Sequence, residues 1–566
     1  MTNSNHMPVA STGGRLLVDA LVANGVDLAF CVPGESYLAV LDALLDVPSL
    51  RLVTCRQEGG ASAMAEAAGK LTGRPGICFV TRGPGATNAS IGIHVARQDE
   101  TPLLLFVGQV PRGQRGREAF QEVDFVQMFA PLAKWTVEID APSRIPEIVA
   151  RAFALATSGR PGPVVVALPE DVLSQSCAAA PGVVAAKAHL GVDARDVEAV
   201  CTLLASAQRP LVIAGGGRWS AQAAHDLARF AQRNALPVIV DFRCQDFVDQ
   251  RQASYIGDTG FRLSDHVRRT IVEADVVLAL GTRLGEIATG GYTVFSVPQP
   301  AQRLIHVYPD PGELGRVYAA ELAIVADPPA FVAALAASEP IAQATWPERA
   351  RVLRAAFEND RQPRMVPAHG VDLAAAVEHM RAVLPDDAIV TNGAGNFSAW
   401  LQGYYEFRRF GTQLAARNGS MGYGFPAAVA AKIVRPERAV VAFVGDGDFL
   451  MSAQELATAM LADAPIVVIV VNNGMYGTIR MHQELAYPGR VIGTELRNPD
   501  FAAFARAFGA EAATIDETAA FAPAFDAALR SGKTTLLELR VDPELIVPRA
   551  TIAEVRALAR SHAATA

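Results

Sequence analysis

Short apolar runs, each followed by a longer helix-like stretch, recur along almost the whole chain. Runs that are apolar at nearly every residue are typical of strands buried on both faces of a parallel sheet. The pattern predicts an α/β protein built from doubly wound parallel sheets. The predicted strands are Asp27–Val32, Leu50–Cys55, Gly76–Val80, Pro102–Gly108, Gly162–Leu168, Pro210–Ala214, Pro237–Val240, Asp275–Leu280, Arg303–Val307, Ala388–Thr391, Ala439–Val444, Ile466–Val471 and Thr535–Val541.

The strands fall into three groups along the chain. A length of 566 residues exceeds what one hydrophobic core supports. We therefore expect three domains, spanning about residues 10–178, 190–337 and 369–566. An Ala-rich segment, 178–188, and a segment with several prolines, 338–368, are predicted to connect them.

Charge and composition exclude several classes of function. The formal net charge is −8 and no run is rich in Lys or Arg, so no nucleic-acid partner is expected. No apolar run is long enough to cross a bilayer, and the polar start lacks the apolar segment of a secretory signal. The six cysteines are scattered without a CxxC pair, which favours buried free thiols over a disulfide framework or a zinc site. We expect a globular cytoplasmic protein with no membrane contact.

Polar residues follow two successive predicted strands of the last domain. One strand ends in Gly445-Asp446-Gly447-Asp448, and the next ends in Asn472-Asn473-Gly474. Open α/β sheets bind ligands at the carboxyl ends of strands, so we expect Asp446 and Asn473 to face one crevice. A carboxylate, an amide oxygen and a nearby carbonyl suit Mg²⁺, which takes its other ligands from water and phosphates. Each motif alone is a common tight turn, but the pair predicts a magnesium-bound diphosphate.

These two motifs resemble the thiamine-diphosphate motif of the superfamily of acetolactate synthase, benzoylformate decarboxylase and pyruvate decarboxylase. The resemblance implies that Asp446, Asn473 and the carbonyl of Met475 bind Mg²⁺. Gly419–Pro426 is similar to the family segment whose large apolar residue, here Met421, wedges thiamine into a bent shape; a core methionine is the alternative. Gly393–Phe397 is similar to the diphosphate-facing loop, although relatives often carry His at the position of Phe397. The residues assigned to the cofactor in this domain are Gly395, Asn396, Gly419, Met421, Gly445, Asp446, Gly447, Asp448, Asn473, Met475, Tyr476 and Gly477.

Four segments of the first domain resemble the pyrimidine-binding domain of acetolactate synthase. They are Arg56–Ala61, Thr81–Asn88, Gly108–Pro111 and Ala119–Glu122. The resemblance implies that Glu58 is the acid that protonates or hydrogen-bonds the pyrimidine of the cofactor. It also assigns Asn88 to cofactor binding and Gln121 to the reacting carbon, although a solvent-exposed turn amide is the alternative for Gln121.

The family provides expectations for assembly and for the three domains. The resemblance implies a pyrimidine-binding, a central Rossmann-like and a diphosphate- and Mg²⁺-binding domain. In the family, the acid and the metal ligands of one site come from different subunits, so a homodimer or homotetramer is expected. Acetolactate synthases often bind FAD in the central domain, but here Leu284-Gly285-Glu286 replaces the Asp-rich stretch that follows Arg283, which disfavours flavin.

The chemistry expected is loss of CO₂ from a 2-oxo acid. The remaining fragment then either adds to a second carbonyl compound, as in acetolactate synthase, or is protonated, as in benzoylformate decarboxylase. Gln121 favours carboligation, whereas the segment after Asn473 resembles the decarboxylase. Arg82 before Gly-Pro-Gly and Gln57 before Glu58 depart from the family pattern, and Tyr476–His482 lacks the Trp that acetolactate synthases place near the acceptor, so the acceptor stays unassigned. A dehydrogenase using Gly215-Gly216-Gly217, or a cofactor-binding protein without turnover, are alternatives from other classes.

Overall fold

The computed structural model describes residues 10–178, 182–184, 188–260, 263–341, 346–362 and 365–565. The chain divides into two compact units. The first contains Met1–Ala188, Val429–Val434 and Ser452–Asp463, and the second contains the remaining residues. Residues 179–181 and 185–187 of the predicted connector 178–188 lie outside the described residues.

The first unit is built on a six-stranded parallel sheet. Its elements are β1 (Ala10–Thr12), α1 (Gly13–Ala23), β2 (Leu28–Cys31), α2 (Leu38–Leu45), β3 (Arg51–Thr54), α3 (Glu58–Thr72), β4 (Gly76–Val80), α4 (Gly83–Asp99), β5 (Leu103–Gln109), α5 (Phe125–Phe129), β6 (Trp135–Glu138), α6 (Ile145–Thr157), β7 (Pro163–Pro169), α7 (Glu170–Ser174) and β8 (Ser176–Ala178). The strand order is β3-β2-β4-β5-β7-β6, and β1 pairs with β8 separately. Strands β4, β5 and β7 are buried at every residue, which explains their continuous apolar sequence.

The central sheet lies in the second unit and also has six parallel strands. Its elements are α8 (Ala194–Ala205), β9 (Pro210–Ala214), α9 (Ala221–Arg233), β10 (Val238–Val240), β11 (Tyr255–Asp258), α10 (Asp265–Glu273), β12 (Val276–Leu280), β13 (Arg303–Tyr308), β14 (Leu322–Val325), α11 (Pro328–Ala337) and α12 (Trp346–Asp360). The order β11-β10-β9-β12-β13-β14 is the one found in dinucleotide-binding folds. Helix α12 lies within the predicted connector 338–368, and its residues Trp346 and Phe357 are buried in the core beside the central sheet.

The third sheet, also in the second unit, carries the predicted metal ligands. The elements of this part are α13 (Leu373–Val383), β15 (Ile389–Asn392), α14 (Ser398–Tyr404), β16 (Gln413–Ala415), α15 (Gly424–Val434), β17 (Val440–Gly445), α16 (Asp446–Phe449), α17 (Leu456–Leu461), β18 (Val467–Asn472), α18 (Gly477–Ala486), α19 (Phe501–Ala507), β19 (Glu511–Ile515), α20 (Thr518–Ser531), β20 (Thr535–Arg540), β21 (Leu545–Val547), β22 (Ala550–Thr551) and α21 (Ile552–Thr565). The order β16-β15-β17-β18-β20-β19 repeats that of the first sheet. Helix α17 and the end of α15 belong to the first unit.

The predicted fold class is confirmed by these three parallel sheets with flanking helices. The cysteines are free thiols, four buried and two partly buried. Within the described part of the chain, no helix is both long and apolar enough to span a membrane.

Candidate cofactor site

Asp446 and Asn473 stand at the carboxyl ends of two hydrogen-bonded neighbours, β17 and β18. Asp446 is 3% exposed; its Oδ1 accepts a hydrogen bond from the Gly447 amide and its Oδ2 accepts one from the Gly474 amide, both at 2.9 Å. The side-chain oxygen of Asn473 accepts from the Met475 amide at 3.2 Å. Burial raises the pKa of Asp446, against the opposing effect of its hydrogen bonds. A cation bound beside this carboxylate would offset the cost of keeping its charge buried.

Asn498, which sequence reasoning missed, joins these strand ends from a distant loop. Its Nδ2 donates to Oδ2 of Asp446 at 2.7 Å and to Oδ1 of Asn472 at 2.9 Å. Nδ2 of Asn472 in turn donates to the buried Glu538 at 2.7 Å. The amide of Asn498 therefore fixes which face of the Asp446 carboxylate stays available to a ligand.

The loop after β15 packs closely against the side chain of Asp448. A Cβ added to Gly393 would lie 1.8 Å from Oδ2 of Asp448, so no side chain fits there. Asp448 is 2% exposed, accepts from the Gly422 amide at 2.7 Å, and has its pKa raised to about 7 by burial. Its Oδ2 is buried without a hydrogen-bond partner, so a ligand could approach it. Arg243 reaches this loop from the central sheet, donating to the Gly393 carbonyl at 3.0 Å and to the Ala416 carbonyl.

Phe397 lies across two of the glycines assigned to the diphosphate. Its Cε1 would be 2.5 Å from a Cβ on Gly395 and 2.7 Å from one on Gly445. The side-chain amide of Asn396 is hydrogen-bonded within the protein: Nδ2 donates to the Ile546 carbonyl at 3.1 Å, and Oδ1 accepts from the Thr478 hydroxyl at 2.9 Å. The loop therefore presents backbone and an aromatic ring, rather than the amide of Asn396, to the carboxyl end of β17.

The segment Met475–Gly477 is held by a short backbone pairing with the chain around Thr494. The Tyr476 amide donates to the Thr494 carbonyl at 2.8 Å, and the Met475 carbonyl accepts from the Gly477 amide at 3.0 Å. The ring of Tyr476 packs on Gly447, where an added Cβ would lie 2.6 Å from the ring edge. These contacts hold the Met475 carbonyl near the end of β18, where the resemblance assigns it to the metal.

The loop of the predicted wedge, Met421, is bounded by two glycines in the left-handed backbone region. Gly419 has φ of 71° and Gly422 has φ of 76°, conformations that glycine adopts without strain. Met421 is partly buried. The turns place it between β16 and α15, directly before Gly422, whose amide donates to Asp448.

In the first unit, Glu58 opens α3 directly after the turn that follows β3. The side chain of Gln57 caps this helix by accepting from the Gly60 amide at 3.1 Å, which is the usual role of an N-cap side chain. Nδ2 of Asn88 donates to Oε2 of Glu58 at 2.9 Å. The two residues that the sequence assigned separately to the cofactor therefore form one hydrogen-bonded pair, with Glu58 partly buried.

Gln121 lies on a loop that contacts the first turn of α4. Its φ is 63°, and its carbonyl accepts from the Gly83 amide at 3.0 Å. Its Oε1 is buried without a hydrogen-bond partner, which is uncommon for a side-chain oxygen. Arg82, a departure from the family pattern, bonds Glu170 at 2.7 Å and the carbonyl of Phe120 at 3.5 Å.

Fold and site together define a three-sheet α/β protein whose last sheet presents oxygen ligands suited to a hard cation and glycines suited to a phosphate group. Comparison with family models is consistent with this class. Residues 11–128 match the N-terminal, 197–335 the central, and 393–539 the C-terminal domain of thiamine pyrophosphate enzymes.

Curated relatives match along almost the whole chain. The chain is 34% identical to the acetolactate synthase large subunit of Parasynechococcus marenigrum, over 94% of this chain and 88% of the relative. It is 32% identical to a probable acetolactate synthase large subunit of Methanocaldococcus jannaschii, over 95% and 93%. It is 31% identical to the isozyme 2 large subunit of Escherichia coli, over 94% and 95%. The chain belongs to the thiamine pyrophosphate enzyme family that includes the acetolactate synthase large subunits.

Proposed function

We propose that this protein decarboxylates a 2-oxo acid with thiamine diphosphate and Mg²⁺ and joins the remaining fragment to a second carbonyl compound. The observation that carries the proposal is the pair of strand ends at β17 and β18, with Asp446 buried beside Asn473. The names of the full-length relatives support carboligation over simple decarboxylation.

The donor set fits a magnesium-bound diphosphate. Asp446, Asn473 and the Met475 carbonyl would hold the metal, because oxygen ligands of this kind are those Mg²⁺ prefers. Gly395, Gly445, Gly447 and Asp448 would surround the diphosphate, and Asn396, Gly419, Met421, Tyr476 and Gly477 complete the cofactor set that we propose.

Glu58 is the proposed acid at the pyrimidine ring. Asn88 orients its carboxyl by donating to Oε2, and Gln121 presents an unpartnered amide oxygen. Thiamine diphosphate, when bound, supplies the electron sink that lets a 2-oxo acid lose CO₂. Glu58 would hold the proton that such activation requires, and Gln121 would orient the reacting carbon by hydrogen bonding.

A product assay tests the proposed reaction. Pyruvate and other 2-oxo acids are supplied with thiamine diphosphate and Mg²⁺, and the wild type is compared with Glu58→Gln. We expect acetolactate or acetoin from the wild type and loss of product from the variant. Acetaldehyde as the only product would support decarboxylation without ligation, and equal activity of Glu58→Gln would refute the role of Glu58.

We further propose a homodimer, or a homotetramer built from dimers, in which each site takes Glu58 and Asp446 from different chains. Complementation tests this directly. Glu58→Gln and Asp446→Ala are each inactive alone, but a mixed dimer has one site with both residues intact. We expect coexpression to restore part of the activity. If the mixture stays inactive although mixed dimers form, the two residues act within one chain.

The central sheet is proposed not to hold flavin. At the ends of β9 and β12, Nε1 of Trp219 donates to the Gly215 carbonyl at 2.7 Å and would lie 3.2 Å from a Cβ on Gly281. Arg218 next to it bonds Asp327 at 2.6 Å with both side chains largely buried. A dinucleotide at this switch point would have to displace the indole. We expect protein refolded or incubated with FAD to remain free of flavin absorbance, and a yellow preparation would refute the proposal.

A cytoplasmic location is proposed from the free thiols, since a reducing compartment keeps cysteines unpaired.

A further inference from the structure

A buried carboxylate outside the predicted catalytic set holds the turn that carries Glu58. We infer that Glu455 is a positioning residue for Glu58, fixing the backbone from which this acid projects. The inference rests on the proposed role of Glu58 and adds a residue that neither the motifs nor the family resemblance indicated. Glu455 lies in Ser452–Asp463, the segment that belongs to the first unit.

The side chain of Glu455 is fully buried, and its carboxylate accepts hydrogen bonds from backbone amides of the turn before α3. Its Oε1 accepts from the Arg56 amide at 3.2 Å and from the Gln57 amide at 3.0 Å, and its Oε2 also accepts from Arg56 at 3.2 Å. Thr458 completes the shell by donating to Oε2 at 2.5 Å. Charge-assisted hydrogen bonds of this kind are stronger than neutral ones, so the two amides have little freedom.

The location suits a negative charge. The two amides precede α3, and the amino-terminal end of a helix carries partial positive charge from its unpaired N–H groups. A Cβ on Gly60 would lie 2.5 Å from Oε1, so the helix approaches Glu455 closely because residue 60 has no side chain. A second hydrogen bond joins Ser452–Asp463 to the sheet of the first unit, because Arg51 at the start of β3 donates to the Ala462 carbonyl at 3.0 Å.

The consequence for Glu58 follows from connectivity. Glu58 is the next residue after Gln57, so the two amides held by Glu455 set the direction in which the Glu58 side chain leaves the backbone. Replacing the carboxylate by an amide puts an NH2 donor in place of one oxygen that accepts from the turn, so the turn must shift or lose a hydrogen bond. A displacement of about 1 Å at a catalytic group can lower a rate by about a hundredfold.

The test compares Glu455→Gln with a matched control, Glu66→Gln. Glu66 is equally buried and lies on α3, but it bonds Lys70 and Thr101 rather than the turn. For each holoenzyme, the rate of proton exchange at C2 of bound thiamine diphosphate is measured by quench and proton NMR, per mole of bound cofactor. We expect Glu455→Gln to lower the exchange rate and kcat by about ten- to a hundredfold, with KM for the 2-oxo acid unchanged, whereas Glu66→Gln leaves both rates near wild type.

A second readout is independent of the cofactor. Amide hydrogen exchange in the apo protein should show faster exchange in a peptide covering 54–60 for Glu455→Gln and no change there for Glu66→Gln. If Glu455→Gln does not fold, Thr458→Val, which removes one bond to Glu455, should give a smaller change of the same sign in both measurements. A wild-type rate of C2 exchange in cofactor-loaded Glu455→Gln would overturn the inference. If Thr458→Val has to be used instead, a wild-type rate in that variant would overturn it.

Glu58→Gln separates the two levels of the proposal. If Glu58→Gln retains wild-type C2 exchange, the proposed function of Glu58 is wrong. If Glu58→Gln loses exchange while Glu455→Gln, equally loaded with cofactor, retains it, Glu58 keeps its role and only the positioning by Glu455 fails.

Discussion

The C-terminal helix is expected to depend on one buried carboxylate, Glu484, whose replacement by Gln should loosen it. Glu484 lies on α18 with a fully buried side chain. Arg556 on α21 binds it through two nitrogens, at 2.8 and 2.7 Å, and Arg480 and the Gly489 amide add bonds at 3.1 and 2.8 Å. Glu484 thus links α18 to α21 through hydrogen bonds.

The pKa of Glu484 gives the size of the effect. The bond to Arg556, supported by those to the Gly489 amide and Arg480, lowers the pKa from 4.5 to about 2, although burial opposes the shift. A depressed pKa means that the folded state prefers the charged form. The stabilisation is therefore complete above the unfolded pKa and is lost as the pH falls from about 4.5 towards 2. A shift of this size corresponds to about 3 kcal/mol at neutral pH and to about half of that near pH 3.

Native-state amide exchange is the appropriate assay, because a multidomain chain has no single free energy of unfolding. The opening free energy of α21 is compared between the wild type and Glu484→Gln near pH 7 and near pH 3, after correction for intrinsic exchange. We expect a difference of about 3 kcal/mol near pH 7 that shrinks to about half near pH 3. A difference that is the same at both pH values would show that packing, and not the charge of Glu484, stabilises the helix.

Three further predictions concern the diphosphate-binding sheet. Asn498→Ala should weaken Mg²⁺ binding about tenfold, measured by metal titration of the holoenzyme, because residues that orient a metal ligand typically contribute this much; unchanged affinity would refute the role of Asn498. Phe397→His should raise the affinity for thiamine diphosphate about fivefold in calorimetry, since one added hydrogen bond to phosphate is worth about 1 kcal/mol; weaker binding would show that the ring is needed for packing. Gly424→Ala should lower the opening free energy of α15 by about 1 to 3 kcal/mol in native-state amide exchange, because its Cβ would lie 2.6 Å from a backbone nitrogen, whereas Gly403→Ala meets nothing within 4 Å and should be tolerated.

The sequence predicted the central strands of each sheet and missed most of the edges. All five missed strands of the six-stranded sheets lie at sheet edges: β6, β11, β14, β16 and β19. Edge strands have a neighbour on one side only, so they need not be apolar at every residue. Strand β6 is only partly buried throughout, and β11 and β16 are short and contain polar residues. A search for continuous apolar runs therefore finds interior strands.

The candidate site residues could be predicted where polar side chains directly follow a buried strand. Asp446 and Asn473 are adjacent because their strands are neighbours in a parallel sheet, which a strand-by-strand interpretation anticipates. Their assignment to a metal remains a prediction. Glu455 and Asn498 could not be found this way, because neither belongs to a recognisable motif. Glu455 contacts Arg56, which lies 399 positions away in the sequence, and Asn498 contacts Asp446, which lies 52 positions away.

Arg243 follows β10 of the central sheet and donates to the carbonyls of Gly393 and Ala416, which lie on two loops of the third sheet. The guanidinium of Arg243 bonds both loops, so a shift of the backbone near β10 would move the loops after β15 and β16 together. If thiamine diphosphate binds at the loop after β15, as proposed, destabilising the central sheet would weaken cofactor binding before the third sheet unfolds.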